Sequence, residues 1–210
     1  NIRLNFSNSM VASLSNIVPI SNKTNEVLDK LSDDWSFWSE GSVSIGRTGD
    51  TSTSSSKKIN TKGITLGMDK KISKNRLYGY ALRFGNDDVD VGTSGTNLDT
   101  ESFSLSVYGT FPHDDKRFTE GIIGVSTLKT DHVRKGGGST RTGERDGAQI
   151  FGSLNYLTTY KKEDFNIIPN LRIDLSYTEL SEYREKGPAA LVYKAQTIET
   201  GMISAGFTIS

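Results

Sequence analysis

The chain has 210 residues with 25 basic and 25 acidic side chains, so its formal net charge is zero and it offers no polycationic surface for nucleic acid. Apolar residues make up 34% of the sequence and the mean hydropathy is −0.45; no run of about 18 apolar residues occurs, which excludes a transmembrane helix. Cysteine is absent, which excludes a disulfide framework and a thiolate metal site.

Residues 1–34 differ in character from the rest of the chain. Thr24–Leu31 predicts a short helix with Thr24 as its N-cap and apolar residues on one side. Asn8–Ile17 is a second, more polar candidate, and Pro19 between the two argues against one continuous helix. The alternative for the whole segment is a disordered linker. We therefore divide the chain into a linker or helical segment, 1–34, and a β domain, 35–210.

The β domain is clearest at residues 60–85, where two runs of period-two alternation flank the short polar link Ser73–Arg76. Successive side chains of a strand point to opposite faces, so this pattern predicts a hairpin with one apolar, aromatic face and one polar face. Similar runs recur at intervals of roughly twenty residues. The predicted strands are Trp35–Gly46, Ile59–Ile72, Leu77–Val91, Thr100–Phe111, Phe118–Val133, Ala148–Lys161, Asn166–Tyr183 and Leu191–Ser210.

The predicted connections alternate in length. Those at 73–76, 113–117 and 162–165 are tight, whereas those at 47–58, 92–99 and 134–147 are long and polar. Membrane barrels have short turns at one rim and longer loops at the other, and strands of about 10 residues cross a bilayer. A soluble sandwich has no reason to sort its loops in this way. The pattern favours a transmembrane barrel.

Charges on the polar face support the same interpretation. In Asn170–Thr178, Arg172 and Asp174 alternate with apolar residues, as Arg83 does in an earlier strand. An inward charge is tolerated only where the face is wet or paired, so these residues suggest a water-filled lumen. A soluble sheet with one solvated face remains the alternative. We expect these apolar side chains to point outward to lipid: Ile64, Leu66, Tyr80, Phe84, Leu105, Val107, Leu171, Ile173 and Leu175.

The motifs and their order resemble those of the autotransporter β-domain, the translocator of type V secretion in Gram-negative bacteria. The segments that carry the resemblance are Trp35–Gly41, Gly63–Asp69, Tyr78–Gly85, Ser102–Phe111, Ile168–Tyr177 and Ser204–Ser210.

The resemblance implies an all-β, antiparallel up-and-down transmembrane barrel, of which about eight of twelve strands are present. The chain departs from the family pattern in lacking the last strands and the terminal aromatic residue. The family also implies a helix that threads the pore, which would place Thr24–Asp33 in or under the lumen. Glu26, Asp29 or Asp33 could then pair with arginines of the wall.

Residues that could carry chemistry are sparse. His113 and His132 are assigned to opposite rims, so they cannot form a triad or a zinc site together. Asp87, Asp88 and Asp90 lack the spacing of a calcium loop and are interpreted as solvated rim charges. Gly136–Arg141 does not match a phosphate-binding loop. No cofactor, metal site or enzymatic activity is predicted.

The predicted function is an outer-membrane translocator that carries or anchors an N-terminal passenger at the bacterial surface. The expected partners are outer-membrane lipid, the passenger and the machinery that assembles outer-membrane barrels. A soluble β-rich adhesin or binding module, and an outer-membrane barrel enzyme, are the alternatives. The predicted pore-lining residues are Arg83, Tyr108, Arg172 and Asp174, with Gly79 and Ala81 on the same face.

Overall fold

The computed structural model describes residues 35–51, 55–73, 76–161 and 165–209, in which every regular element is a β-strand. These residues include no helix that is long and apolar enough to cross a membrane. The strands are β1 (Trp35–Thr48), β2 (Lys57–Ser73), β3 (Arg76–Val91), β4 (Thr96–Pro112), β5 (Arg117–Gly136), β6 (Ser139–Thr158), β7 (Tyr160–Lys161), β8 (Asn166–Leu180), β9 (Tyr183–Arg184), β10 (Val192–Tyr193) and β11 (Gln196–Ile209).

The long strands form one antiparallel sheet in the order β1-β2-β3-β4-β5-β6-β8-β11, and β7 pairs with β8. Each long strand therefore lies beside its neighbour in the sequence, which is the up-and-down arrangement that the sequence predicts. The long strands have 14 to 20 residues, more than the roughly 10 that cross a bilayer. Within the described part of the chain, β1 and β11 are the two edges.

The sheet has two ends and two faces. The turn end contains the connection at 113–116, and the hairpin end contains the connections at 92–95 and 137–138. Because directly paired residues point to the same side, the register assigns every side chain to a face. The outer face carries the apolar residues named above, and the inner face carries the residues that alternate with them.

Two predicted long loops are wrong. β3 and β4 are joined by residues 92–95, not 92–99, and β5 and β6 are joined only by Gly137 and Gly138, not by residues 134–147. Gly137 and Gly138 have φ of 59° and 73°, as a tight turn between twisted strands requires. The apolar alternation ends where both faces become polar, although backbone pairing continues from Lys129↔Asp146 to Gly136↔Ser139. The charge-rich stretch is therefore an extension of the hairpin.

The last two predicted strands are also corrected. The strand predicted at Asn166–Tyr183 ends at Leu180, and the one predicted at Leu191–Ser210 begins at Gln196. Between them, Tyr183 pairs with Tyr193 and Arg184 with Val192 in a separate two-stranded hairpin, β9–β10. The pairing is interrupted on both sides of this hairpin, so it forms a distinct tip.

Several predictions lie outside the described residues. They are the helices or linker within 1–34, the centres of the tight links at 74–75 and 162–164, residues 52–54 of the long connection predicted at 47–58, and residue 210.

Candidate functional site

The outer face of the sheet is an exposed apolar band. All nine side chains predicted to point outward are exposed, from Ile173 at 38% to Leu175 at 60%, which confirms that part of the prediction. One row of the band is apolar on six adjacent strands in direct register and ends at Ser39 and Glu199 on the edge strands. Its apolar members are Leu66, Leu82, Leu105, Val125, Ile150 and Tyr177. Toward the hairpin end, the row beyond Ile64, Phe84 and Phe103 is charged and contains Lys62, Glu101 and Lys129. A continuous apolar band bounded by charge is typical of a surface that lies in a membrane.

The inner face behind this band is polar. One row in register consists of Thr65, Arg83, Ser104, Ser126, Gln149 and Thr178, all of them buried. Neighbours in this row are joined by hydrogen bonds: Ser126 Oγ donates to Ser104 Oγ over 2.7 Å, and Gln149 Nε2 donates to Thr178 Oγ1 over 2.8 Å. The other amide atom, Gln149 Oε1, is buried without a hydrogen-bond partner among the described residues. The row thus satisfies most of its polar groups internally and retains one free acceptor.

Aromatic rings fill the inner face nearer the turn end. A Cβ atom on Gly79 would lie 2.5 Å from the Tyr108 ring, and one on Gly124 would lie 2.4 Å from the Phe151 ring. Each ring therefore lies on a glycine of the neighbouring strand, where only hydrogen leaves enough space. Tyr108, Phe151, Ala81 and Ile122 form a small buried cluster, with Trp38 packed against it.

Two of the four predicted site residues make separate polar contacts on this face. Arg83 is 3% exposed, and its guanidinium donates to Thr65 Oγ1 over 3.1 Å and to Ser42 Oγ over 2.9 Å. The Tyr108 hydroxyl donates to Asp69 Oδ2 over 3.0 Å and accepts from Trp38 Nε1 over 2.6 Å.

The other two predicted site residues contact each other. Arg172 Nε lies 3.0 and 3.1 Å from the two carboxylate oxygens of Asp174, which is 3% exposed. The inner arginines therefore have partners within the wall. Their role as pore-lining residues stays a prediction.

The interpretation of Asp87 as a solvated rim charge is wrong. Its side chain lies on the inner face, is 5% exposed and accepts a hydrogen bond from the Thr61 hydroxyl. Asp88 points to the outer face and accepts from Asn97 Nδ2 over 2.9 Å. Among the described residues, no three His, Asp or Glu side chains converge as metal ligands.

The two histidines lie at opposite ends of the sheet. His113 Nε2 is 2.8 Å from Thr119 Oγ1 at the turn end, whereas His132 Nδ1 is 2.6 Å from the Tyr183 hydroxyl at the hairpin end. His132 belongs to a cluster with Tyr193, Arg134 and Glu185 that the sequence did not reveal. Its members lie up to 61 residues apart, and they meet because β6 pairs with β5 on one side and with the 183–193 hairpin, through Thr142 and Lys186, on the other.

Electrostatics within this cluster are dominated by one ion pair beyond the apolar band. The Arg134 guanidinium holds the pKa of Glu185 at about 2, although the carboxylate is buried. Burial raises the pKa of Tyr183 to about 12 and lowers the pKa of His132, with Glu185 opposing the second effect. The ion pair is therefore charged, and the Tyr183 hydroxyl is protonated, throughout the neutral range.

Comparison with known proteins identifies the family. A family model described as the autotransporter beta-domain matches residues 37–210. A comparison with curated proteins found no match.

Two solved structures have a similar fold. The translocator domain of the autotransporter NalP from Neisseria meningitidis is similar with a TM-score of 0.74 and 16% identity, over 97% of this chain and 69% of that one. The β domain of the Bordetella autotransporter BrkA is similar with a TM-score of 0.65 and 15% identity, over 83% of this chain and 70% of that one.

The family match covers most of the chain, and the sheet has the apolar outer band and polar inner face of a transmembrane barrel. The chain belongs to the autotransporter β-domain family, whose members are outer-membrane barrels that translocate a passenger domain.

Proposed function

We propose that residues 35–210 form the barrel wall of a translocator that carries or anchors its own N-terminal passenger at the bacterial surface, and that residues 1–34 connect the two and occupy the lumen. The observation that carries this proposal is the separation of the two faces: an exposed apolar band outside and a buried polar lining inside, in one register across the sheet. A soluble adhesin would need to cover that band.

The inner face suggests how a segment is accommodated. The hydrogen bonds that Arg83 donates to the described residues go to neutral hydroxyl groups. Gln149 Oε1 is a buried acceptor without a hydrogen-bond donor among those residues. We infer that Arg83, Tyr108, Arg172 and Asp174 line the lumen, and that carboxylates of the segment, such as Glu26, approach Arg83. The Arg172–Asp174 pair mainly stiffens the wall, because each charge already has its partner.

We propose two further partners, outer-membrane lipid and the assembly machinery of outer-membrane barrels. The apolar band contacts outer-membrane lipid, and the machinery that assembles outer-membrane barrels inserts the domain. The domain itself is not an enzyme. This inference is supported by the placement of His113 and His132 at opposite ends, and the His113→Ala variant should secrete passenger at the normal level.

Passenger display in the full-length protein tests the proposal. A reporter fused as passenger should become accessible to protease added to intact cells, with the barrel recovered folded from the outer membrane. The matched comparison is a barrel with Leu66→Arg, which should insert poorly and display less. A folded, membrane-inserted barrel that leaves its passenger in the periplasm would contradict the proposal.

A further inference from the structure

The tip hairpin, defined here as Tyr183–Tyr193, is joined to the rest of the sheet through breaks in both of its strands. β8 ends at Leu180 before β9 begins at Tyr183, and β10 ends at Tyr193 before β11 begins at Gln196. Regular pairing of β6 with β8 ends at Gly147↔Leu180. Beyond it, the main-chain groups of Thr142 and Lys186 exchange two hydrogen bonds of 3.0 and 2.6 Å. The tip therefore stays beside β6, but across interrupted pairing.

Side chains hold the tip on the inner side of the wall. His132 and Arg134 belong to the inner face of β5, because they continue the alternation of the buried residues Ser126 and Leu128. Arg134 Nε and Nη2 donate to the two carboxylate oxygens of Glu185 over 2.7 and 2.5 Å. Glu185 is 3% exposed and also accepts from the backbone N–H of Leu191 over 2.9 Å. This one carboxylate therefore ties both arms of the tip to β5.

An aromatic stack accompanies the ion pair. The rings of Tyr183 and Tyr193 are parallel within 5° at a centroid distance of 4.6 Å. The His132 ring lies edge-on to both at 6.0 Å. The tip thus presents two stacked rings to a histidine of the wall, also on the inner side.

Arg145 spans the two strand breaks. Its Nε donates to the carbonyl oxygen of Ser181 over 2.8 Å, and its Nη2 donates to that of Lys194 over 3.0 Å. These two carbonyl groups lie where β8 gives way to β9 and where β10 gives way to β11. A single guanidinium therefore satisfies main-chain groups that interrupted strand pairing leaves available.

Gly143 sets how closely the tip can approach. It pairs with His132, and a Cβ atom at this position would lie 2.6 Å from the Tyr183 ring. A methyl group on Gly143 would push Tyr183 away from β6 without altering any charge. Gly136, in the same hairpin, has no atom within 4 Å of its Cβ position and provides a matched control.

We propose that the tip hairpin is a hinged flap at the mouth of the barrel: it bends at the two strand breaks, it is latched to the inner side of β5 and β6 by Glu185 and the tyrosine pair, and the latched state narrows the mouth. The proposal rests on the translocator function, since only a conduit has a mouth to narrow. Latching places two aromatic rings, a histidine and an ion pair on the lumen side of the wall. Unlatching frees the tip to swing away from them, so the mouth widens.

An engineered disulfide can lock the flap. It forms without competition from native thiols, because the chain contains no cysteine of its own. Thr142 and Lys186 form a hydrogen-bonded antiparallel pair, whose Cα atoms are about 5.5 Å apart, within the range that a disulfide spans. In planar bilayers, we expect the intact translocator to show a smaller conductance level with the flap latched and a larger one with the flap released. The variant with Thr142→Cys and Lys186→Cys should lose the larger level on oxidation and regain it on reduction. The same protein before and after reduction is its own control.

The Gly143→Ala variant tests the latch in the opposite direction. It should spend more time at the larger conductance level, whereas Gly136→Ala should behave as the parent protein. Hydrogen exchange at the Lys186 amide should quicken by about tenfold in Gly143→Ala, the change that about 1.4 kcal/mol of overpacking produces.

The outcomes separate this proposal from the translocator function. Lys186 exchange that is equal in Gly143→Ala and Gly136→Ala would overturn the latch, whether or not the barrel conducts. Conductance that is the same with the disulfide closed and open would overturn the narrowing of the mouth. Failure of passenger display in the parent protein would contradict the translocator function. The comparison of Lys186 amide exchange in Gly143→Ala and Gly136→Ala would still test the latch.

Discussion

Substitution of Val107 tests whether lipid surrounds the outer face of the sheet. It lies within the apolar band, in register with Tyr80 and Ile123, and is 43% exposed. Val107→Arg should lower the free energy of unfolding in lipid by about 2–4 kcal/mol, because a guanidinium near the bilayer midplane loses its hydration. Urea unfolding of the barrel refolded into liposomes measures this cost.

The control makes the same chemical change outside the band. Val43 also points outward and is 71% exposed, but it lies in the charged row beside Lys62. Val43→Arg should therefore cost only about 0–1 kcal/mol. Equal costs at the two positions would mean that the apolar band is not in lipid.

The Arg172–Asp174 pair allows a second measurement at the scale of single residues. Arg172→Leu leaves the Asp174 carboxylate buried without its cation and should destabilise the barrel by about 3–5 kcal/mol. Replacing both residues with leucine removes the unpaired charge and should cost less than Arg172→Leu alone. A double-mutant cycle measures the coupling. If the double variant is as destabilised as the sum of the single variants, the two side chains act independently.

Among the elements, the turn at 113–116 contains an acid that orders it. Asp114 Oδ1 accepts from the backbone N–H groups of Lys116 and Arg117 over 2.9 and 2.8 Å, and the Arg117 side chain binds the same carboxylate. The Arg117 guanidinium and these amides lower the pKa of Asp114 to about 2, against about 3.9 for an unperturbed aspartate.

The sign of the pH effect follows from that lowered pKa. The contribution of Asp114 to stability is complete above about pH 4 and is lost as the pH falls toward 2. The parent protein should therefore exceed Asp114→Asn in stability at pH 5, and the difference should shrink between pH 4 and 2. Urea midpoints of the two proteins at each pH test this, since their other carboxylates are identical. A constant difference would show that the carboxylate charge does not order the turn.

Strand prediction succeeded where one face is apolar and failed where both faces are polar. Residues 60–85 alternate cleanly, and the structure forms the predicted hairpin there. In residues 129–147 the alternation disappears because both faces lie beyond the apolar band, although the backbone remains paired. The tip hairpin was missed for a related reason: its rings and charges have partners on other strands, which local patterns do not reveal.

For the whole molecule, the sequence predicted the family, the antiparallel order and the outward face, because each depends on patterns within or between adjacent strands. It did not predict which inner charges find partners. Asp87 reaches Thr61 only through the register of β2 with β3, and Arg83 reaches Ser42 across an intervening strand. Contacts of this kind depend on three-dimensional register, which a single sequence does not specify.

The proposed occupant of the lumen provides the last prediction. If Thr24–Asp33 lies in the lumen, deleting it from the intact translocator should raise conductance in planar bilayers, because an aqueous path opens along the polar inner face. Deleting Asn8–Ile17, a segment of equal length, is the control and should change conductance little.

The latch and the lumen segment are separable in the same experiment. In the Thr142→Cys, Lys186→Cys protein, deletion of Thr24–Asp33 should raise conductance further when the disulfide is reduced than when it is closed, since the flap then limits flow at the mouth. The flap at the mouth and the segment in the lumen would be two constrictions in series, so the effect of removing one depends on whether the other is open. Conductance that is unchanged by the deletion in both redox states would mean that Thr24–Asp33 lies outside the lumen, and the barrel would then need another plug.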